Sequence, residues 1–322
     1  MKFRTEIKLP SFPFQINYET PVFGLGSCFT DHIKQKLSYF QFQTHINDFG
    51  VIFNPVSIKK ILKRIVNRQL FEQNELFLDH EQWKHFDLHS SLNHADANQM
   101  LENINRKLHI NYQFLQKKPV YIFTLGTAWV YKHKKTGDIV SNCHKLPASH
   151  FDKILLSPIQ IVDELNKIIQ LANKIAPSSH IIFSLSPVRH LKDGFVENNR
   201  SKAHLLTALH QVIDYQNIVY FPAYEIVLDD LRDYRFYTQD MVHPNHWAID
   251  YVWQQFQKSL IDPAIHSDML QIDKIRKALQ HKAFDKQSAA YQKHLQQTRQ
   301  KILHIRQKYP WMQFEKNLNN NI

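Results

Sequence analysis

Val22-Phe23-Gly24-Leu25-Gly26-Ser27-Cys28-Phe29 is the stretch from which the rest of the chain can be read. Its apolar start, Val22–Leu25, predicts a short buried strand. Gly26 allows a tight turn, and a helix is expected to begin near Thr30. A serine at such a step sits at a helix N-terminus, where backbone N–H groups point at any oxyanion formed beside it. Ser27 is therefore a candidate nucleophile, and equally a plain N-cap. Cys28 is its rival, although a cysteine there also suits a small buried apolar place.

Further apolar runs predict four more strands: Thr44–Ile46, Val120–Leu125, His180–Leu185 and Ile218–Phe221. Helix-like stretches separate the strands or follow them, at Asp31–Tyr39, Ser57–Asn67, Pro158–Ile175, Ser201–Tyr215 and Trp247–Leu260. In the third of these helices Ile161, Leu165, Ile168 and Ile169 recur at helical spacing. Strands alternating with helices predict an α/β fold, a parallel sheet covered on both faces, with its active site at the carboxyl ends of the strands. Unusual residues follow those ends: Gly26-Ser27, then Gly50 and Asn54, then Gly126-Thr127, then Ser186-Pro187. Phe71–Pro119 is polar, rich in His and Asn, and reads as an insertion. We expect one domain over residues 1–262, with that insertion at about 71–119, and a helical basic extension over 263–322. Asn317–Ile322 is expected to fray.

A second constellation is Asp240-Met241-Val242-His243-Pro244. Proline favours the first turn of a helix, so His243 is placed in the loop before one. Asp240, three residues upstream, can accept from one ring nitrogen and leave the other basic. A serine is inert without such a base. Acyl transfer also needs donors around the developing oxyanion, and the Gly50 N–H, the Thr127 hydroxyl or N–H, and the Asn54 and Asn142 amides are candidates. Gly126 and His144 complete the set of candidate substrate-binding residues.

Composition bounds the partners. Only six glycines occur in 322 residues, so each is expected at a special backbone position. The formal charge is +11, and Gln271–Lys308 holds ten basic residues against two aspartates. That stretch reads as a solvated helix face; a glycan or anionic surface is the other partner it suits. No zinc finger, basic zipper or RNA motif is visible, so no specific nucleic acid is expected. Cys28 and Cys143 allow one bridge at most and close no zinc site; no metal and no cofactor is expected. No apolar run of about 18 residues is present. Met1–Pro10 has no leader-like apolar core. A cytoplasmic location is the default, and nothing in the pattern sets an oligomeric state.

The chain resembles the GSCFA family, whose Gly-Ser-Cys-Phe-Ala motif stands here as Gly26-Ser27-Cys28-Phe29-Thr30. The resemblance continues through Phe49–Pro55, Asp87–Ser90, Thr124–Ala128, Asn142–Lys145, Ser186–His190 and Asp240–Pro244, and covers roughly residues 1–260. That family is similar to the SGNH hydrolases, three-layer flavodoxin-like α/β/α esterases and acetyl transferases. The similarity implies Ser27 as nucleophile, Asp240 and His243 as the late Asp-x-x-His pair, and Gly50 as a backbone oxyanion donor. The usual Gly-x-Asn after the third strand is replaced by Gly126-Thr127-Ala128, which leaves Asn54, Asn142 or Thr127 as the side-chain donor. The implied activity is hydrolysis of a small ester or acylated carbohydrate through an acyl-enzyme. The alternatives are an O-acyltransferase with the same site and a binding module that has lost catalysis.

Overall fold

The structure, a computed structural model, describes residues 4–281, 285 and 287–314. The expected frayed end, Asn317–Ile322, lies outside the described residues. Five parallel strands form the main sheet: β1 (Val22–Gly26), β2 (Thr44–Ile46), β5 (Val120–Leu125), β9 (Ile181–Leu185) and β10 (Ile218–Phe221). Their order is β2-β1-β5-β9-β10, with β1 paired to both β2 and β5. This is the 2-1-3-4-5 order of flavodoxin-like sheets, whose switch point lies between the first and third strands.

Side-chain alternation sets the two faces. Phe23, Leu25, Tyr121, Phe123, Ile181 and Phe183 point into one core. Val22, Val120, Ile122, Ile182, Val219 and Phe221 point into the other. The first core is covered by α2 (Pro55–Asn67), α3 (Ala97–Leu115), α4 (Pro158–Ile175) and α5 (Phe195–Val212). The second is covered by α1 (Cys28–Tyr39) and, after the one-turn α6 (Ala223–Glu225), by α7 (His246–Leu260), α8 (His266–Gln280) and α9 (Ala289–Lys308).

Helices start where their caps are. Ser27, Asn54, Ser157 and Asn245 each accept a backbone N–H with a side-chain oxygen. Helix α5 begins at Phe195, one and a half turns before the expected Ser201. The stretch read as a polar insertion contains the hairpin β3 (Phe77–Asp79)/β4 (Gln82–Lys84) and the 19-residue α3. Its apolar stripe is narrow: Ala97, Met100, Ile104, Leu108, Phe114 and Leu115 are buried, with mostly polar residues between them. A second unforeseen unit follows β5. Strands β6 (Trp129–His133), β7 (Ile139–Val140) and β8 (Phe151–Leu155) form an antiparallel sheet of order β7-β6-β8. Among the described residues no helix is long and apolar enough to cross a membrane.

Helices α8 and α9 belong to the second core. Ile272, Ile275, Leu279, Ile302, Ile305, Met312 and Phe314 are all buried there with residues of β1, α1 and α7. Lys308 and the Tyr309 hydroxyl both donate to Asp268 Oδ2, at 2.6 and 2.7 Å, which ties the end of α9 to α8. We propose that the described part of the 263–322 extension is packed on the 1–262 domain. Burying one large aliphatic side chain is worth about 1.5–3 kcal/mol. A chain ending at Asp262 is accordingly expected to aggregate or to melt well below the full chain in a thermal scan. An unchanged melting temperature would make the extension a separate module.

Candidate active site

Ser27 caps α1. Its Oγ accepts the Phe29 N–H at 3.2 Å, its own N–H donates to Thr124 O at 3.2 Å, and the residue is 2% exposed. Asn47, one residue past β2, stitches this turn in place. Its Oδ1 accepts the Gly26 N–H at 2.8 Å and its Nδ2 donates to Asp31 Oδ1 at 2.9 Å. Asn47 sits at φ 52°, a left-handed conformation that asparagine tolerates.

Asp240 and His243 form a pair in the loop before α7. Asp240 Oδ2 lies 2.6 Å from His243 Nδ1. Asp240 Oδ1 accepts the Thr238 hydroxyl at 2.6 Å and the N–H groups of Val242 and His243 at 2.9 and 3.0 Å. These donors, Thr238 first, hold the carboxyl well below the usual carboxylate range. A carboxylate only accepts, so Nδ1 carries the ring proton and Nε2 is left basic. Arg189 fixes the loop from outside: its guanidinium donates to Met241 O at 2.6 Å and its backbone N–H to Val242 O at 3.4 Å. The same guanidinium lies 4.4 Å from the Tyr237 ring centroid.

His243 lies near enough to His32 and His190 to disfavour their protonation, although burial is the larger cause in both. His32 is on α1 and His190 follows β9, so the pair sits over the carboxyl end of the sheet beside the helix that Ser27 caps. No hydrogen bond joins Ser27 Oγ to the His243 ring in this structure. Cys28 is unpaired, as is Cys143. Burial, with Asp31 second, pushes the Cys28 thiol up. A thiol held protonated is a poor nucleophile, which favours Ser27 over its neighbour.

The candidate oxyanion donors divide. Gly50 stands at φ 82°, and a Cβ there would fall 2.1 Å from His89 Cβ, so glycine is required. Its N–H donates to Asn47 O at 2.8 Å, closing a turn. In this structure the Gly50 N–H is taken up by that turn. Gly126 is likewise engaged: its N–H donates to Phe53 O at 2.7 Å. Asn54 caps α2, with Oδ1 accepting the Ser57 N–H at 2.9 Å and Nδ2 donating to Ser57 Oγ at 2.8 Å. The Thr127 hydroxyl pairs with Ser201 Oγ at 2.9 Å. Asn142 Oδ1 accepts the His144 N–H at 2.8 Å. Asn54, Thr127, Asn142 and His144 all line one pocket of about 550 Å³, together with Trp129 and His190. Ser27 is not in that lining.

Sequence reasoning missed Lys202. On α5 it is 2% exposed, and its Nζ donates to Gly126 O and Ser186 O, both at 2.7 Å. No acid pairs with it among the described residues. Burial pushes its pKa down to about 7. In the sequence it is an ordinary lysine in a helical stretch and carries no signal. No group of three His, Cys, Asp or Glu among the described residues is arranged to hold a metal ion.

The GSCFA family model matches residues 21–256, and the model of the GSCFA domain protein, C-terminal domain, matches residues 272–320. Among solved structures, a carbohydrate esterase family 3 from Talaromyces cellulolyticus is similar at 9% identity, covering 79% of this chain and 99% of that chain, with a TM-score of 0.36. No curated protein matches the chain.

Lys202 makes stability depend on pH. Its pKa falls from 10.5 to about 7 on folding. Between those values the unfolded chain holds the extra proton, so stability rises with pH across that window, by up to about 1.4 kcal/mol per pH step. Below it both states are protonated and the folded state bears the buried charge in full. Urea unfolding from about pH 6.5 to about pH 9.5 is expected to show a steeper rise for wild type than for Lys202→Met. Equal slopes would place the titration elsewhere.

Proposed function

The chain belongs to the GSCFA family, and from the placement of its residues we propose that it is a serine esterase acting through an acyl-enzyme on O-acetylated carbohydrate or another small ester. The observation that carries this reading is the Asp240–His243 pair, at 2.6 Å, held over the sheet end beside the helix that Ser27 caps. Further support is the ionised Asp240, which fixes the ring tautomer a base requires.

In the proposed reaction Ser27 Oγ leaves the Phe29 N–H, turns toward His243 and attacks the ester carbonyl. Its proton passes to Nε2, and Asp240 balances the imidazolium. Negative charge develops on the carbonyl oxygen at the N-terminus of α1, where the helix dipole and the first-turn N–H groups favour it. The C–O bond then breaks, and the alcohol leaves with the proton from His243. Water attacks the acyl-enzyme and His243 takes its proton; the acyl C–Oγ bond then breaks, His243 returns that proton to Ser27 Oγ, and the acid departs. The missing Ser27–His243 bond is compatible with this course, because such bonds often tighten only with substrate bound.

Ser27→Ala is expected to abolish labelling by a fluorophosphonate probe with a loss of only about 1 kcal/mol in stability, the worth of an N-cap. Cys28→Ser should keep the label. On one acetyl ester, Asp240→Asn is expected to lose about ten- to a thousandfold in kcat, less than the ten-thousandfold of a protease triad, and His243→Ala more. Labelling that follows Cys28, or a His243→Ala protein with wild-type rates, would overturn the assignment.

A further inference from the structure

The ladder between β5 and β9 stops one bond early. The Tyr121 N–H donates to His180 O at 2.9 Å, and the Ser186 N–H donates to Leu125 O at 2.8 Å. Parallel pairing continued in that register brings the Thr127 N–H to Ser186 O. The bond is not made. Ser186 O accepts the Lys202 ammonium instead, at 2.7 Å.

Lys202 also takes Gly126 O, at 2.7 Å. In a strand the N–H and carbonyl of one residue turn to one neighbour and those of the next residue to the other. In β5 the even-numbered residues turn to β1. The Ser27 N–H donates to Thr124 O at 3.2 Å, and the Gly126 N–H donates to Phe53 O at 2.7 Å, beside the Ile52 N–H that meets Gly26 O. Regular alternation would turn Gly126 O to that side as well. It turns to Lys202, which reaches in from α5, the helix packed on β9, and whose other acceptor directly follows β9. A peptide is planar, with its C=O and N–H on opposite edges. The Thr127 N–H, on the far edge of the Gly126 carbonyl, is therefore turned to the β1 side, where Ser27 follows Gly26.

Its neighbours are all engaged. The Ala128 N–H donates to Ser201 Oγ at 2.7 Å and the Trp129 N–H to Thr127 Oγ1 at 3.1 Å. Thr127 is 7% exposed, and none of the described residues accepts from its N–H. Buried backbone donors are nearly always paired, so this one calls for an acceptor from outside the chain. Lys202 stands within electrostatic reach of Cys28, next to Ser27, and of His190, which reaches His243.

We infer that the Thr127 backbone N–H is an oxyanion donor of the ester site, and that Lys202 is the positioning residue that turns it there by holding the Gly126 and Ser186 carbonyls. The inference rests on the ester reading above. It adds to the N-terminus of α1 a second donor, carried by the end of β5.

The test is an NMR spectrum of the full chain with isotope-labelled threonine, before and after Ser27 reacts with a fluorophosphonate. The phosphonyl oxygen of the adduct stands in for the oxyanion. The Thr127 amide signal, identified by its loss in Thr127→Ser, is expected to move downfield in the adduct. Lys202→Met leaves both carbonyls without their donor, so the peptide is expected to rejoin the ladder and the shift to vanish. On one acetyl ester kcat should fall about a hundredfold with KM little changed, the loss of one oxyanion donor. A lysine that only supported the fold would not separate kcat from KM. Melting curves check that the variant folds; if it does not, the wild-type adduct decides alone. An adduct with an unmoved Thr127 signal, or a folded Lys202→Met with wild-type kcat, overturns the inference and leaves the ester reading standing. No Ser27 adduct in wild type overturns the ester reading and this inference with it.

Discussion

A Cβ on Gly26 would lie 2.4 Å from Thr30 Oγ1, 2.8 Å from Thr124 O and 2.9 Å from Thr124 Cβ. Three segments meet there at distances no side chain permits: the end of β1, the first turn of α1 and the end of β5. The Gly26 peptide groups add a fourth and a fifth, through Asn47 and the N–H of Ile52. The position of Ser27 follows from this closure. A larger residue at 26 would push α1 away from the sheet and take the serine with it.

Charge is handled at the same end of the sheet by burial and carbonyls. Carbonyl groups gather at the ends of parallel strands, and those of Gly126 and Ser186 turn inward. Unmet, each would cost about 1–3 kcal/mol. Lys202 meets both, at the expense of desolvating its own ammonium, and the pull of its pKa toward neutrality shows which effect wins. The lysine thereby couples the loop after β5 to the loop after β9. The first of these carries Thr127, the second Arg189 and His190, and Arg189 in turn holds the His243 loop.

Much of the sheet was legible because its strands are continuous apolar runs, as strands buried on both faces must be. The Asp240–His243 pair was legible because both members share one short loop. What escaped reading lacks such local contrast. Helix α3 buries its apolar residues among many polar neighbours and one buried asparagine, Asn111, so its period is faint. Strands β6 to β8 are half-exposed, and β7 has only two residues. Asn47 and Lys202 act through partners that are remote in sequence. Gly50 was singled out rightly as a special backbone position, but its φ and His89 are the reason, and its donor faces Asn47. A glycine signal reports backbone geometry; it does not say what the N–H touches.

The antiparallel unit explains how a pocket could be added beside the site without disturbing it. A new strand in the parallel sheet would need a crossover and would shift the strand order. An antiparallel unit whose first strand pairs with its last, as β6 does with β8, leaves and returns at the same end. The chain from Gly126 to Ser157 does this between β5 and α4. It contributes Trp129, Tyr131, Asn142 and His144 to the pocket while Ser27 and His243 stay on α1 and the loop before α7. The insertion thus carries pocket-lining residues, while the residues proposed to react stand at the sheet ends. The three side chains first considered as oxyanion donors, Asn54, Thr127 and Asn142, all line the pocket, and each already holds a backbone or hydroxyl partner.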